Sequence, residues 1–400
     1  MKKNVLLSII ALLSTGVSAN SQETTNQDST GFSFTDVKIV KQTSVKDQNK
    51  TGTCWCFSTN SFLENEILKK TGKEVDLSEM YVVYHCYADK AMKHIRMDQK
   101  INFEQGGSTL DVPYVWKRYG MVPEEVYTGL NYGDTKHNHY EMIAGLKGYI
   151  NGIAKNPNRK LSTAWFNGFK GILDAYLGKL PEKFTHEGKE YTPESYAASL
   201  GINIDDYIPF TSFTHHPFNA PFALEVADNW IWGEYYNVKI EELKEIVDNA
   251  IKNGYSVAWA ADVSEPGFQW KKGVALMPKE KTADSLEGTE LARWTKLSDK
   301  DREKEKYEFN GPTEEITVTQ ESRQETFDNH TTTDDHGMVI VGSAIDQEGN
   351  KYYKVKNSWD TNQIYDGYIY VSEAYFLAKT IDIVVNKAAI PAKILKNCNL

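Results

Sequence analysis

Residues 48–58 read Gln-Asn-Lys-Thr-Gly-Thr-Cys-Trp-Cys-Phe-Ser and lead into an apolar stretch with helical spacing. The Gly-Thr pair turns the chain, and Cys54 opens the helix that follows. At a helix N-terminus the unpaired N–H groups and the positive end of the dipole favour thiolate over thiol. The side-chain amide of Gln48, six residues upstream, can reach the space in front of the sulfur as an oxyanion donor. A buried structural cysteine on a core helix is the alternative. Whether a base and its orienter exist elsewhere decides between them.

Near the other end the chain reads Asp334-Asp335-His336-Gly-Met-Val-Ile-Val-Gly, then Tyr352-Tyr-Lys-Val-Lys-Asn357-Ser-Trp359. A histidine precedes a β-branched apolar run, and Asn-Ser-Trp ends a second strand-like segment. His336 can act as general base and acid. Asn357 can hold its second ring nitrogen and fix the tautomer, and Trp359 can shield that hydrogen bond from water. Adjacent residues on a strand point to opposite faces, so Asp334 and Asp335 are not read as a dyad. Asp335 is expected to raise the basicity of His336 or to be exposed.

These three segments resemble the papain-like cysteine peptidases. Gln48 matches their oxyanion glutamine, Cys54 the nucleophile, His336 the base and Asn357 the orienter. In ordinary members the histidine and asparagine follow the cysteine by about 130–150 residues. Here His336 lies 282 residues beyond Cys54, and Asn357 lies 21 further. The surplus is about one small domain, and the chain resembles the bleomycin hydrolase and aminopeptidase C branch, which carries such an insertion. Gln105-Gly106-Gly107 with Val115–Pro123 resembles that branch's substrate-binding segment, and Ala258–Val263 resembles the strand after its insertion.

The resemblance implies an α+β, papain-like two-lobed fold, with a helical lobe, a β-barrel-like lobe and a largely helical insertion. It implies peptide substrates, no cofactor and no metal. Gly106 is expected to shape the substrate wall, and Gly107, lacking a Cβ, to let a substrate backbone lie close. The branch places its own C-terminus in the cleft, which would make Leu400 the group that meets a substrate ammonium. It also implies aminopeptidase action and a hexameric ring. If Leu400 lies elsewhere, the cleft is open to endopeptidase action. A silent scaffold with the same fold and an acyltransferase using the same thiol are the remaining alternatives. Three positions depart from the family pattern: Thr51 stands where many relatives have a disulfide cysteine, Cys56 where a small or apolar residue is common, and Asp360 where glycine is usual.

Lys and Arg number 45 against 55 Asp and Glu, a formal charge of −10. That balance, with no basic stripe, argues against nucleic acid as a partner. Met1-Lys-Lys-Asn, the apolar run Val5–Leu13 and Val17-Ser-Ala19 have the pattern of a signal peptide cleaved after Ala19. The mature protein is therefore expected to be exported and not membrane-spanning. The expected parts are a signal peptide at 1–19, a flexible leader at 20–35, a helical lobe at 36–145, a helical insertion at 146–250 and a β lobe at 251–400.

Four cysteines occur, at 54, 56, 86 and 398. Cys56 falls on the buried stripe of its helix and is read as packing, and a Cys86–Cys398 disulfide is left open. His137 with His139, and His215 with His216, lack an acid or thiol at a recurring ligand spacing, so no metal is assigned.

Overall fold

The computed structural model describes residues 31–158 and 160–400. The expected signal peptide and most of the leader lie outside the described residues. The described helices are α1 (Cys54–Thr71), α2 (Glu79–Arg96), α3 (Asp111–Tyr119), α4 (Tyr140–Ala154), α5 (Ala164–Leu177), α6 (Pro193–Ser199), α7 (Ile240–Lys252), α8 (Gly288–Trp294), α9 (Asp299–Lys306), α10 (Gln320–Asp328), α11 (Glu373–Lys379) and α12 (Ala392–Asn397). None of them is long and apolar enough to cross a membrane.

Local chemistry sets the boundaries of the first two. Gly72 ends α1 in the left-handed region, its N–H bonding Leu68 O. Ser78 caps the next helix: its Oγ accepts from Tyr81 N at 3.1 Å. Every residue of α1 from Trp55 to Leu68 is buried, polar ones included. A helix buried all round sits at the centre of its fold. Its polar side chains therefore need partners, and Asn65 Oδ1, for example, accepts from Thr43 N at 2.9 Å.

The strands are β1 (Thr35–Ile39), a hairpin of β2 (Phe184–His186) and β3 (Lys189–Tyr191), then β4 (Tyr207–Thr211), β5 (Pro221–Ala223), β6 (Glu234–Asn237), β7 (Val257–Ala261), β8 (Phe268–Gln269), β9 (Val274–Ala275), β10 (His336–Ile345), β11 (Lys351–Lys356), β12 (Tyr368–Ser372) and β13 (Thr380–Asn386). Outside the hairpin they form one large mixed sheet in the order β5-β6-β4-β13-β7-β10-β11-β12-β9-β8, with β1 also on β10. The insertion expected to be largely helical thus also gives β4, β5 and β6 to this sheet.

Strand alternation divides the core. Ala258, Val339 and Val384 face one apolar cluster, shared with α1, α2 and α3. Trp259, Met338, Ile340, Ile383 and Val385 face a second cluster, covered by α7 and α12. The first positions the nucleophile helix, and the second holds the chain's end.

A charged knot closes the base of α1. Lys46 Nζ lies 2.9 Å from Glu64, 2.6 Å from Asp76 and 2.8 Å from Glu79. Glu124 sits beside them with Oε2 buried and unpartnered. Burial, with the neighbouring Glu79 charge, pushes Glu124 up to about 9. Burial likewise pushes Glu79 up to about 7, against the pull of Lys46.

In the unfolded chain both carboxyls titrate near ~4.3. The native state therefore keeps protons that the unfolded state loses, and the associated stability is lost as pH rises through the two raised values. The Tm is expected to fall by on the order of 5 °C between about pH 5 and about pH 9. Glu124→Gln is expected to flatten the upper part of that fall, measured by thermal unfolding across pH. An unchanged profile in the variant would remove Glu124 as its source.

Candidate active site

β10 opens with His336 and Gly337, opposite Ala261 and Ala260 of β7. It passes so close to α1 that a Cβ at Gly337 would lie 2.5 Å from Ser58 Oγ and 3.2 Å from Trp55 Cα. Glycine permits that approach. It brings Cys54 Sγ to 4.0 Å from the Asp335 carbonyl, at the residue preceding His336.

His336 Nε2 lies 2.7 Å from Asn357 Oδ1. An amide oxygen only accepts, so the proton sits on Nε2 and Nδ1 keeps its lone pair. The same oxygen takes the Ser358 N–H at 2.7 Å, which fixes how the amide faces. The Trp359 ring covers His336 at 4.5 Å between centroids, with Trp270 and Phe268 behind it. His336 and Asn357 are only 5% and 3% exposed.

Burial pushes the Cys54 thiol up to about 11, while the Gly337 and Trp55 backbone N–H groups pull it down. Burial pulls His336 down to about 4, against Asn357 and the Asp335 charge. Each shift penalises a lone charge. A proton passed from Sγ to the ring creates two opposite charges together, and each offsets the other's desolvation.

Gln48 is buried beside this pair. Its Nε2 donates to Thr51 O at 2.8 Å and its Oε1 accepts from Ser358 Oγ at 2.7 Å. One amide hydrogen therefore remains uncommitted. Ser358 was not singled out in the sequence, although it stands between Asn357 and Trp359.

A model of the papain family cysteine proteases matches residues 33–163, and one of the Peptidase C1-like family matches residues 288–399. Aminopeptidase C from Lactobacillus delbrueckii subsp. lactis is 23% identical over 396 residues, covering 88% of this chain and 81% of its own. Bleomycin hydrolase from Rattus norvegicus is 23% identical over 401 residues, covering 88% and 82%. The crystal structure of pepw from Lactobacillus rhamnosis shares the fold, with a TM-score of 0.65 at 20% identity over 91% of this chain and 84% of that one.

The chain belongs to the papain-like cysteine peptidases, in the bleomycin hydrolase and aminopeptidase C branch.

Its departures from the papain-like pattern have local compensations. Thr51 braces the nucleophile turn without a disulfide: Oγ1 contacts Thr53 Oγ1 at 2.6 Å and donates to Gln48 O at 3.0 Å. Asp360 adopts the left-handed conformation at φ 65, and its own Oδ1 accepts from Thr361 N at 2.7 Å. A short polar side chain that bonds locally is one of the few that tolerate this region. Cys56 is fully buried in the core, as expected. Cys86 and Cys398 are free and belong to the two separate apolar clusters, so they form no disulfide.

Two expectations need correction. A Cβ at Gly107 would meet Asp111 Oδ2 at 2.5 Å and Trp55 at 2.8 Å, and one at Gly106 would meet the Asp228 carboxylate. At Gly107 the missing Cβ serves internal packing, not substrate approach, while Gly106 also lines an open cavity. Trp55 Nε1 also bonds Gln105 O at 3.0 Å, which ties this segment to the nucleophile helix. Leu400, expected in the cleft, packs instead with Leu395 on the cluster under α7, its N–H bonding Leu395 O at 3.0 Å. The apolar end of the chain is drawn to apolar surface there.

The histidine pairs differ in their surroundings. No third ligand group joins His137 and His139 among the described residues. Glu225 does reach the other pair, 2.9 Å from His215 Nε2 and 2.8 Å from His216 Nε2, a long-range convergence that spacing could not reveal. Gln324 Oε1 accepts from Thr214 N, so its Nε2 is the atom facing His215 Nδ1 at 3.0 Å. His215 Nδ1 must then accept, and its Nε2 carries a proton toward Glu225. That arrangement is a hydrogen-bonded cluster in which the ligand-type atoms of His215, His216 and Glu225 lie within 4.8 Å of one another.

Proposed function

We propose that this cysteine peptidase is an exported aminopeptidase working through Cys54, His336 and Asn357 and a thioester acyl-enzyme. The observation that carries the mechanism is the 2.7 Å His336–Asn357 bond beside a cysteine at a helix N-terminus. Cys54 gives its proton to His336 Nδ1, and the sulfur attacks the peptide carbonyl carbon. The oxyanion meets the free Gln48 N–H and the Cys54 backbone N–H. His336 returns the proton to the leaving amine as the C–N bond breaks, leaving a thioester. Water, deprotonated by His336, then releases the acid and restores the thiol.

The relatives' names support action at amino termini, and the Met1–Ala19 pattern supports export. The position of Leu400 favours a second reading, an endopeptidase whose cleft is not capped by that residue.

One fluorogenic substrate offered with a free and with a blocked α-amine separates the two. Cleavage of the free form alone, abolished by Cys54→Ala, is expected. Cleavage of the blocked form at a comparable rate would establish the endopeptidase instead. Gln48→Ala is expected to lower kcat by about 10²–10³-fold with little change in KM. Ser358→Ala, which only frees the Gln48 amide, is expected to lower it by roughly tenfold. Unchanged kcat in both would remove Gln48 from the mechanism. The exported form is expected to begin at Asn20 on N-terminal sequencing, and retention of Met1–Ala19 would overturn the export reading.

A further inference from the structure

Lys90 stands on the buried face of α2 and is 1% exposed. Its Nζ donates to Glu104 O at 3.2 Å and to Gly106 O. Among the described residues it forms no ion pair. The Trp230 ring lies 5.8 Å from Nζ, and its Nε1–H donates to the buried Asp111 at 2.7 Å. Burial pulls Lys90 below its ordinary value, against the more distant charges of Asp111 and Asp228. An ammonium buried against neutral carbonyls costs desolvation that an apolar side chain of the same length would avoid.

What this ammonium holds is the segment between α2 and α3 that lies against the nucleophile turn. Gln105 O accepts from Trp55 Nε1 at 3.0 Å, and Gln105 Oε1 accepts from Gly52 N at 2.9 Å. With Lys90 on Glu104 O and Gly106 O, three successive carbonyls are fixed by side chains of α1 and α2. Gly106 and Gly107 are nonetheless only half-buried, and Gly106 lines an open cavity of about 620 Å³. Among the described residues the N–H and C=O of Gly107 bond nothing. Lys90 thus turns two carbonyls inward and leaves the Gly107 backbone pair open, one residue from a wall tied to Trp55, the neighbour of Cys54.

We propose that Lys90 is a positioning residue for peptide binding: its ammonium holds the Glu104–Gly107 wall where an extended peptide can lie and reach Cys54. Lys90 itself touches no substrate. Without the ammonium, Glu104 O and Gly106 O lose their donor, and the segment must turn to find another. The thiol and imidazole are tied instead through Gln48, Asn357 and Ser358, and keep their placement. The inference rests on the peptidase reading of the Cys54 site, and its test reads the thiol and the wall separately.

Iodoacetamide alkylates a reactive thiol without lying along the wall. An alanyl-alanyl chloromethyl ketone, with its α-amine free or acetylated, must lie along it. In each case the sulfur displaces halide and leaves a thioether at Cys54, read by peptide mass in the full-length protein. In Lys90→Met the iodoacetamide rate is expected to stay within about twofold of wild type. The rate of whichever peptidyl ketone labels wild type faster is expected to fall about tenfold or more. An unchanged peptidyl rate in the variant would overturn the proposal. Equal loss of both rates, or a variant that no longer melts cooperatively, would make Lys90 a support of the whole fold and overturn it too. Wild-type protein labelled by iodoacetamide but by neither peptidyl ketone would show no such wall. Wild-type protein labelled by none of the reagents would sink the peptidase reading itself, whereas a failure confined to the variant sinks Lys90 alone.

Discussion

The approach of β10 to the first turn of α1 at Gly337 fixes where the rest of the site must lie. α1 is buried from Trp55 to Leu68 and cannot shift without reopening the core. With no Cβ at 337, the strand seats against that helix, and the imidazole is delivered to the thiol. A second tie closes the circuit. Gln48 N bonds Ser358 O at 2.9 Å and Ser358 Oγ returns to Gln48 Oε1. Residues 48–54, 336–337 and 357–359 are thereby locked to one another. Reactive groups need placement to within roughly 0.5 Å, and backbone and buried amides hold it better than exposed side chains would.

What the sequence could reveal follows from how local each determinant is. The Cys54 turn, the Ser78 cap and strands β7, β10, β11 and β12 carry their own signals in turn residues, capping hydroxyls and apolar runs. The Gln48, Cys54, His336 and Asn357 set was legible because each residue sits inside a short flank with its own chemistry. What was hidden depends on tertiary partners. The role of Ser358 exists only once Gln48 arrives from far upstream. Glu225 meets His215 and His216 only when β5 folds beside them. β4 and β6 read as parts of a helical insertion because short strands at a sheet's end have too few residues to show alternation. The need for glycine at 107 was correctly noticed and wrongly explained, since a missing Cβ in a sequence does not say which neighbour requires the space.

Several buried cations of this fold are held by backbone and side-chain oxygens. Lys379 Nζ reaches Glu265, Thr331 O and Thr332 Oγ1. Arg323 donates to Ser212 O and Leu377 O. Lys356 donates to Thr43 O at 3.0 Å. Each of these cations ties together segments far apart in sequence.

The end of the chain is tied down as well. About 14 residues follow β13, enough to span roughly 46 Å if extended, so length does not keep Leu400 from the cleft. Packing does. Ile394 is fully buried and Cys398 is 4% exposed beneath α7. Asn249 Nδ2 also grips Ala389 O at 2.7 Å. Drawing the tail away would expose Ile394 alone at a cost of about 1.5–3 kcal/mol, before the Asn249 bond is counted. The carboxylate of Leu400 could offset that only through a contact in the cleft stronger than its own hydration. With the tail committed to α7, the side chains of the cleft are left to set which end of a peptide it accepts.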